Sequence, residues 1–162
     1  MNISAGAVVF IQEEFQKVGT DYSKLRSLLA EGNWRQADIE TMDIILKVSG
    51  RTAEGYPKPS DIRNIPTADI QEIDNLWRKY SQGKFGFTPQ KQLWLKASQN
   101  YTEFCEYIHW HINDAWLDYS DLDFSINAVV GHLPALMFPC PLGDTQVYSF
   151  ALGSWRVALL NR

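Results

Sequence analysis

The sequence predicts an all-α domain. Three observations carry that reading. Apolar residues recur three or four apart in successive stretches. Most stretches stop at a glycine, and prolines break the chain between others. No run of alternating apolar and polar residues marks a strand. Val8, Ile11, Phe15 and Val18 share one face of a first helix, an N-terminal extension over residues 1–20 ahead of a core domain over 21–162. The first ten residues hold no Lys or Arg, so a secretory leader is not expected. Ala7–Ile11 is too short to cross a bilayer.

Tyr22–Glu31 reads as a short helix with Leu25, Leu28 and Leu29 inward and Gly32 as its stop. Asn33 is the expected cap of the next helix, with Gln36 completing a capping box. Trp34, Ala37, Thr41, Ile44, Ile45 and Val48 form its buried stripe, and Gly50 ends it. Asp38 and Glu40 fall early in that helix, where negative charge suits the dipole. They read as capping or surface groups. Two residues apart, they point to different faces and make a poor acid–base pair.

Arg51–Pro66 reads as a loop, broken by Gly55, Pro57, Pro59, Ser60 and Pro66. It sets Arg51, Lys58 and Arg63 beside Tyr56, Ile62 and Ile65, the pattern an amphipathic anion needs. An ordinary surface loop with its isoleucines tucked beneath is the plainer alternative, and composition alone favours it. Ile70, Ile73, Leu76, Trp77 and Tyr80 then share a helix face, and Gly83 stops it. Phe85-Gly86-Phe87 is an aromatic turn, after which Thr88 as N-cap and Pro89 at the first position open another helix. Leu93, Trp94 and Ala97 continue the apolar face, so the two helices form a core hairpin.

Tyr101, Phe104, Cys105, Ile108 and Ile112 make the stripe of the following helix. Trp110 falls off that stripe, on the side of Glu103 and Glu106. His109 and His111 diverge on a helix and do not suggest a metal site. His132 reads as structural. From Ala128 the chain turns irregular, since Gly131, Pro134, Pro139, Pro141 and Gly143 forbid a long helix. It stays apolar, with Asp144 the only charge between Asp123 and Arg156. Such a segment covers a groove or waits for a partner, loosely held until it does. The alternative is a loop packed flat on the core. Leu133, Met137 and Phe138 are its candidate ligand contacts. Ser154–Arg162 closes the chain as a helix, with Trp155, Ala158 and Leu159 inward and Arg156 and Arg162 available.

The formal charge of −4, without a basic stripe, excludes a dedicated nucleic-acid binder. Cys105 and Cys140 form neither a disulfide framework nor a metal-type pair, so a reducing compartment is expected. There is no phosphate loop, no serine nucleophile elbow and no Cys–His nucleophile context. The chain reads as a binding protein, not an enzyme. Six tryptophans can build a core, a flat ligand site, or both.

Leu76-Trp-x-x-Tyr80-Ser-x-Gly83-x-Phe85-Gly-Phe87-x-x-Gln90 resembles the signature of the genomes-uncoupled tetrapyrrole-binding family, fourth of its series. The likeness extends to Leu25–Thr41, Gly50-Arg51, Asp61-Ile-Arg63, Ile65-Pro66, Ile73-Asp74, Phe124-Ser125 and Gly131-His-Leu-Pro134. It implies a helical core shaped like a cupped hand, with a flat ligand on an apolar palm between two loops, here Arg51–Pro66 and Ala128–Ser154. It further implies a non-catalytic, porphyrin-binding regulator or carrier for magnesium chelatase in chlorophyll biosynthesis. The ligand would be protoporphyrin IX or its magnesium form, with no metal ion bound by the protein alone. The protein partner would be the chelatase large subunit, and any membrane association peripheral. The location would be cytoplasmic, or the plastid stroma. A porphyrin needs wide apolar walls and cations at its carboxylate edge. Arg51, Lys58, Arg63 and Arg156 are the candidate cations. Tyr56, Ile62, Trp110, Trp116, Leu133, Met137 and Phe138 are the candidate walls. The C-terminal loop is longer than the family's usual one, the basic residues after Pro134 are unmatched, and at most one helix stands in place of the extra N-terminal domain. These departures keep a second reading open: a sensor or interaction module that binds a linear tetrapyrrole (a bilin) or a protein.

Overall fold

The computed structural model describes residues 19–162, so the expected first helix lies outside the described residues. Among the described residues, seven α-helices carry the fold: α1 (Ser23–Ala30), α2 (Trp34–Val48), α3 (Pro59–Asn64), α4 (Thr67–Tyr80), α5 (Phe87–Lys96), α6 (Tyr101–Tyr107) and α7 (Ser154–Leu160). Two small antiparallel hairpins interrupt them. One pairs β1 (His111–Ile112) with β2 (Ala115–Trp116), the other β3 (Cys140–Leu142) with β4 (Thr145–Val147). A 3₁₀ turn spans Tyr119–Asp121.

The predicted stripes form the core. Trp34, Trp77 and Phe85 pack together, Trp34 meeting Phe85 edge to face at 5.4 Å between ring centroids. The Trp77 indole N–H donates to the Thr41 hydroxyl at 3.0 Å, and that hydroxyl donates to the Ala37 carbonyl. A second aromatic group, Trp94, Phe104, Trp110 and Phe150, fills the other half. Gly86 makes the α4–α5 turn possible. Its φ is +127°, and a Cβ there would stand 2.6 Å from an Asp74 carboxylate oxygen.

Several local expectations are corrected. Asn33 makes no side-chain cap bond on α2. The α5 helix starts at Phe87 with Gly86 at its cap, and Thr88 instead donates through its N–H and hydroxyl to Asp74. The Arg51–Pro66 segment contains α3. Pro59 opens that helix, and the Asp61 carboxylate accepts the Lys58 N–H at 2.8 Å. The α6 helix ends at Tyr107, short of Ile112. His109 takes φ +59°, while the Trp110 N–H reaches the Cys105 carbonyl at 2.8 Å and the His109 N–H the Glu106 carbonyl at 3.2 Å. That is a Schellman closure with histidine where glycine is usual, which hides it from a composition reading. Trp110 is thereby turned inward and fully buried.

The irregular C-terminal stretch divides in two. Residues 131–139 are all buried. They form a strap across the helices, bound through its backbone. The Gln90 side-chain amide donates to the Gly131 and Pro134 carbonyls, the Trp110 indole to the His132 carbonyl, and the Gly86 N–H to the Leu133 carbonyl. Residues 140–152, which carry the β3–β4 hairpin, leave Leu142 54%, Tyr148 58% and Leu152 38% exposed.

Candidate functional site

The α2 helix has two apolar faces. Trp34, Ala37, Thr41, Ile44 and Ile45 point into the core. Ile39, Met42 and Leu46, three and four apart, share another face. That outer face, with Asp43, forms one wall of an open cleft of about 270 Å³. Tyr119 and Met137 also line it, and Tyr148, just after β4, closes it from the hairpin side. Asp43 is the only residue carrying a formal charge in that lining. Arg35 lies one turn before Ile39 and is exposed; its guanidinium sits 4.2 Å from the Phe124 ring centroid and 5.9 Å from that of Tyr119. Among the described residues it has no carboxylate partner.

A larger hollow, about 350 Å³, lies between α4, α5 and the end of α7. Its charged groups are already committed to the protein. Asp74 accepts from Thr88, Lys91 donates to the Arg162 carbonyl oxygen, and Arg162 donates to the Ile62 and Ile65 carbonyls. The cleft on α2 is the better candidate, since its walls are apolar and partly open, with Ile39 and Tyr148 exposed.

Of the residues singled out from sequence, Met137 lies in the cleft wall. Trp116 is half-buried, stacked on Tyr101 at 6.2 Å, and Tyr56 is packed half-buried against the core. Lys58 and Arg63 are exposed on and beside α3. Arg51 binds Asp61 through two nitrogens, at 2.8 and 3.1 Å, and Glu54 through a third. These carboxylates hold the guanidinium above its ordinary range, and Arg51 in turn holds Asp61 below the usual carboxylate range. Arg51 therefore braces the α2–α3 connection. Ile62, Trp110 and Leu133 have no exposed surface and Phe138 has 2%, so all four are core rather than surface. Phe138 packs edge to face on Trp155 at 4.9 Å.

Arg156 is not a free cation, contrary to expectation. It is 3% exposed and sits between the Trp110 and Trp155 rings, 4.3 and 4.4 Å from their centroids. It donates to the Ala135 and Leu136 carbonyls at 2.6 and 3.1 Å. Burial lowers its affinity for its proton. Asp38 and Glu40 are likewise buried, not surface groups. Lys24 pairs with Glu40 at 2.5 Å. Asp38 accepts from the Tyr119 hydroxyl at 2.7 Å, from the Ala135 N–H at 2.6 Å and from the Leu136 N–H at 3.3 Å. Burial pushes the Asp38 carboxyl up to about 6, against the pull of those donors, and both burial and Asp38 push the Tyr119 hydroxyl up. His132 is structural, as its sequence context indicates. Its Nε2 accepts the Asp123 N–H, so its Nδ1 carries the proton and donates to the Ile108 carbonyl at 2.6 Å. Among the described residues no three His, Cys, Asp or Glu side chains gather as a metal site.

Sequence reading missed Arg35, Ile39, Met42, Leu46, Tyr119 and Tyr148. For α2 the signal was present as the second apolar row, 39–42–46, with Arg35 at its head. For Tyr119 and Tyr148 it was not, because nothing local says which face of a loop a tyrosine takes.

The arrangement is that of a mostly helical domain with an open apolar cleft. A family profile described as GUN4-like matches residues 15–140, and the chain belongs to that family. It is 38% identical over 96 residues to the chloroplastic tetrapyrrole-binding protein of Arabidopsis thaliana, covering 58% of this chain and 36% of that protein. It is 37% identical over 118 residues to the uncharacterized protein ycf53 of Porphyra purpurea, covering 70% of this chain and 49% of that one. The chain thus spans half or less of the length of these relatives. Its fold matches the ligand-free structure of Arabidopsis thaliana GUN4 with a TM-score of 0.71 at 28% identity, covering 89% of this chain and 93% of that one. It matches GUN4 from Chlamydomonas reinhardtii with a TM-score of 0.71 at 27% identity, covering 90% of each. No described helix is long and apolar enough to cross a membrane.

Proposed function

We propose that this chain is a non-catalytic tetrapyrrole-binding protein, its ligand lying in the cleft between the outer face of α2 and the 140–152 hairpin. The observation that carries this reading is the second apolar face of α2, partly open among the described residues, in a member of a family with a tetrapyrrole-binding relative. A porphyrin disc would lie on Ile39, Met42, Leu46 and Met137 under Tyr148, with Arg35 at the carboxylate edge. Residues 21–162 would suffice for binding. Protoporphyrin IX or its magnesium form is the proposed ligand, and magnesium chelatase the proposed recipient of the porphyrin or target of stimulation. The protein would act in the cytoplasm or plastid stroma, at most peripheral to a membrane.

Titration with protoporphyrin IX, its magnesium form and a bilin tests the ligand. Tryptophan quenching should saturate near one equivalent with micromolar or better affinity, about 8 kcal/mol. Met42→Asp should abolish it. No saturable quenching by any of the three removes the reading. Saturation by the bilin alone replaces porphyrin with the linear ligand. Failure of the protein to change the rate of a reconstituted magnesium chelatase removes the chelatase role and leaves binding intact.

A further inference from the structure

Two walls of the cleft rest on one buried carboxylate. Asp38 has no exposed surface, and it accepts the Tyr119 hydroxyl and the Ala135 and Leu136 N–H groups. The carbonyls of the same two strap residues accept from Arg156. The Ala135–Leu136 backbone is therefore gripped on its N–H side by an anion and on its C=O side by a cation. Met137, the next residue, lines the cleft, and so does Tyr119. We infer that Asp38 is the positioning residue of the cleft, setting Tyr119 and Met137 together, and that proton uptake there strengthens binding of a carboxylate-bearing ligand. The second half of this inference rests on the tetrapyrrole reading.

The chemistry follows from the donor count. An ionised carboxylate only accepts, so it commits the Tyr119 O–H to Asp38. A neutral Asp38 can donate to the Tyr119 oxygen, which frees the phenol hydrogen to turn toward the cleft. The same step removes a negative charge from behind a wall that would receive an anion. Burial brings this proton uptake to about pH 6. The groups facing Asp38 are Tyr119 from the 3₁₀ turn and Arg156 from α7. The strap offers it backbone N–H groups, while the strap's own titratable residue, His132, is bonded to Ile108 and Asp123. On α2, Arg35 lies beside Tyr119 and Asp43 lines the cleft.

The test compares the parent with Asp38→Asn and Tyr119→Phe, using deuteroporphyrin, a dicarboxylate, between pH 5.5 and 7.5. Asparagine imitates the neutral acid, accepting from the strap and donating to Tyr119. The parent's affinity should rise roughly five- to tenfold as the pH falls, the size of one ordinary net hydrogen bond. Asp38→Asn should bind at the parent's low-pH level throughout. Tyr119→Phe, in which the fold is kept because the hydroxyl sits at a half-exposed ring, should lose most of the slope. Ligand protonation acts on all three alike, so parallel curves overturn the inference. If none binds porphyrin, the tetrapyrrole reading fails by itself, and the positioning role is decided without ligand. Hydrogen-exchange protection of the Ala135 and Leu136 amides, corrected for intrinsic rate, should then change between pH 5.5 and 7.5 in the parent and not in Asp38→Asn. An equal response in both overturns it.

Discussion

The strap at 131–139 and the hairpin segment at 140–152 read alike in sequence: apolar, broken by proline and glycine, and nearly free of charge. In the fold they are opposites. Every residue of the strap is buried, and side chains from α2, α5 and α7, with Trp110 just after α6, bond its backbone. The hairpin has a short two-strand ladder and exposes Leu142, Tyr148 and Leu152. The difference shows that an apolar, irregular segment becomes core only where side chains elsewhere satisfy its backbone. An unpaired buried N–H or C=O costs too much otherwise. Asp38, Gln90, Trp110 and Arg156 are that supply for the strap. The hairpin segment has one such anchor among the described residues, the Tyr101 hydroxyl donating to the carbonyl of buried Phe150 at 2.7 Å, and its strands stay at the surface beside the cleft.

The largest effect should come from breaking the strap. Phe138→Ala deletes a ring packed on Trp155 and should cost roughly 3–5 kcal/mol in urea unfolding. Asp38→Ala should cost a similar amount, about 3–5 kcal/mol, because it orphans two strap N–H groups and leaves Arg156 without its counter-charge. A parent-like melting curve for either would place the strap at the surface with the hairpin.

The next effect is a pH dependence. Asp38 sits near 6 in the fold against 3.8 for the free group. The native state therefore binds the extra proton between those values. The stability from this group is fully present below about 4 and is lost as pH rises through about 6. The parent should thus gain about 2 kcal/mol relative to Asp38→Asn on going from pH 7.5 to 4.5. Asp21 and Asp61, held below their ordinary value by hydrogen bonds, act in the opposite sense and only at lower pH. Denaturant midpoints of both proteins at the two pH values decide it.

Helices were legible because burial in them follows spacing. Leu25, Ile44, Ile73, Trp77 and Phe104 went where period 3.6 puts them. The site was far less legible, for two physical reasons. Residue type alone offers Arg156 to a ligand and Asp38 to the solvent. Both are buried because they bond one backbone segment nearly a hundred residues from Asp38 in the chain. Apolar spacing carries the helix on through Trp110, whereas His109 ends it by a closure that composition does not announce. Only the outer row of α2 is visible in the sequence, and the stronger inner stripe masks it.

Substitutions in the hairpin should invert the strap result. Tyr148→Ser removes a side chain on a residue that is 58% exposed, so unfolding should change by less than about 0.5 kcal/mol. Porphyrin affinity should fall by about 1–2 kcal/mol, because the ring is one wall of the cleft. Quenching titrations and melts on the same sample separate the two effects. A loss of stability without loss of affinity would make the hairpin a second strap.

The smallest effect, and the one that locates the ligand's polar edge, belongs to Arg35. Its guanidinium lies beside Tyr119 and Phe124, without a carboxylate partner among the described residues. A porphyrin lying on Ile39 and Met42 would bring a propionate to that end of α2. At an exposed site the pair should contribute only about 0.5–1 kcal/mol, screened further by salt. Arg35→Gln should therefore weaken binding of a dicarboxylate porphyrin two- to fivefold at low salt and hardly at all in 0.5 M salt, where the Debye length is roughly 4 Å. The dimethyl ester of the same porphyrin offers no charge, so its affinity should be the same for parent and variant. Arg35 makes no bond to the strap, so the melting temperature should not move. If the ester and the acid lose affinity equally, Arg35 contributes packing and the carboxylates face elsewhere. Lys58 and Arg63, the exposed cations beside and on α3, are then the next to be replaced.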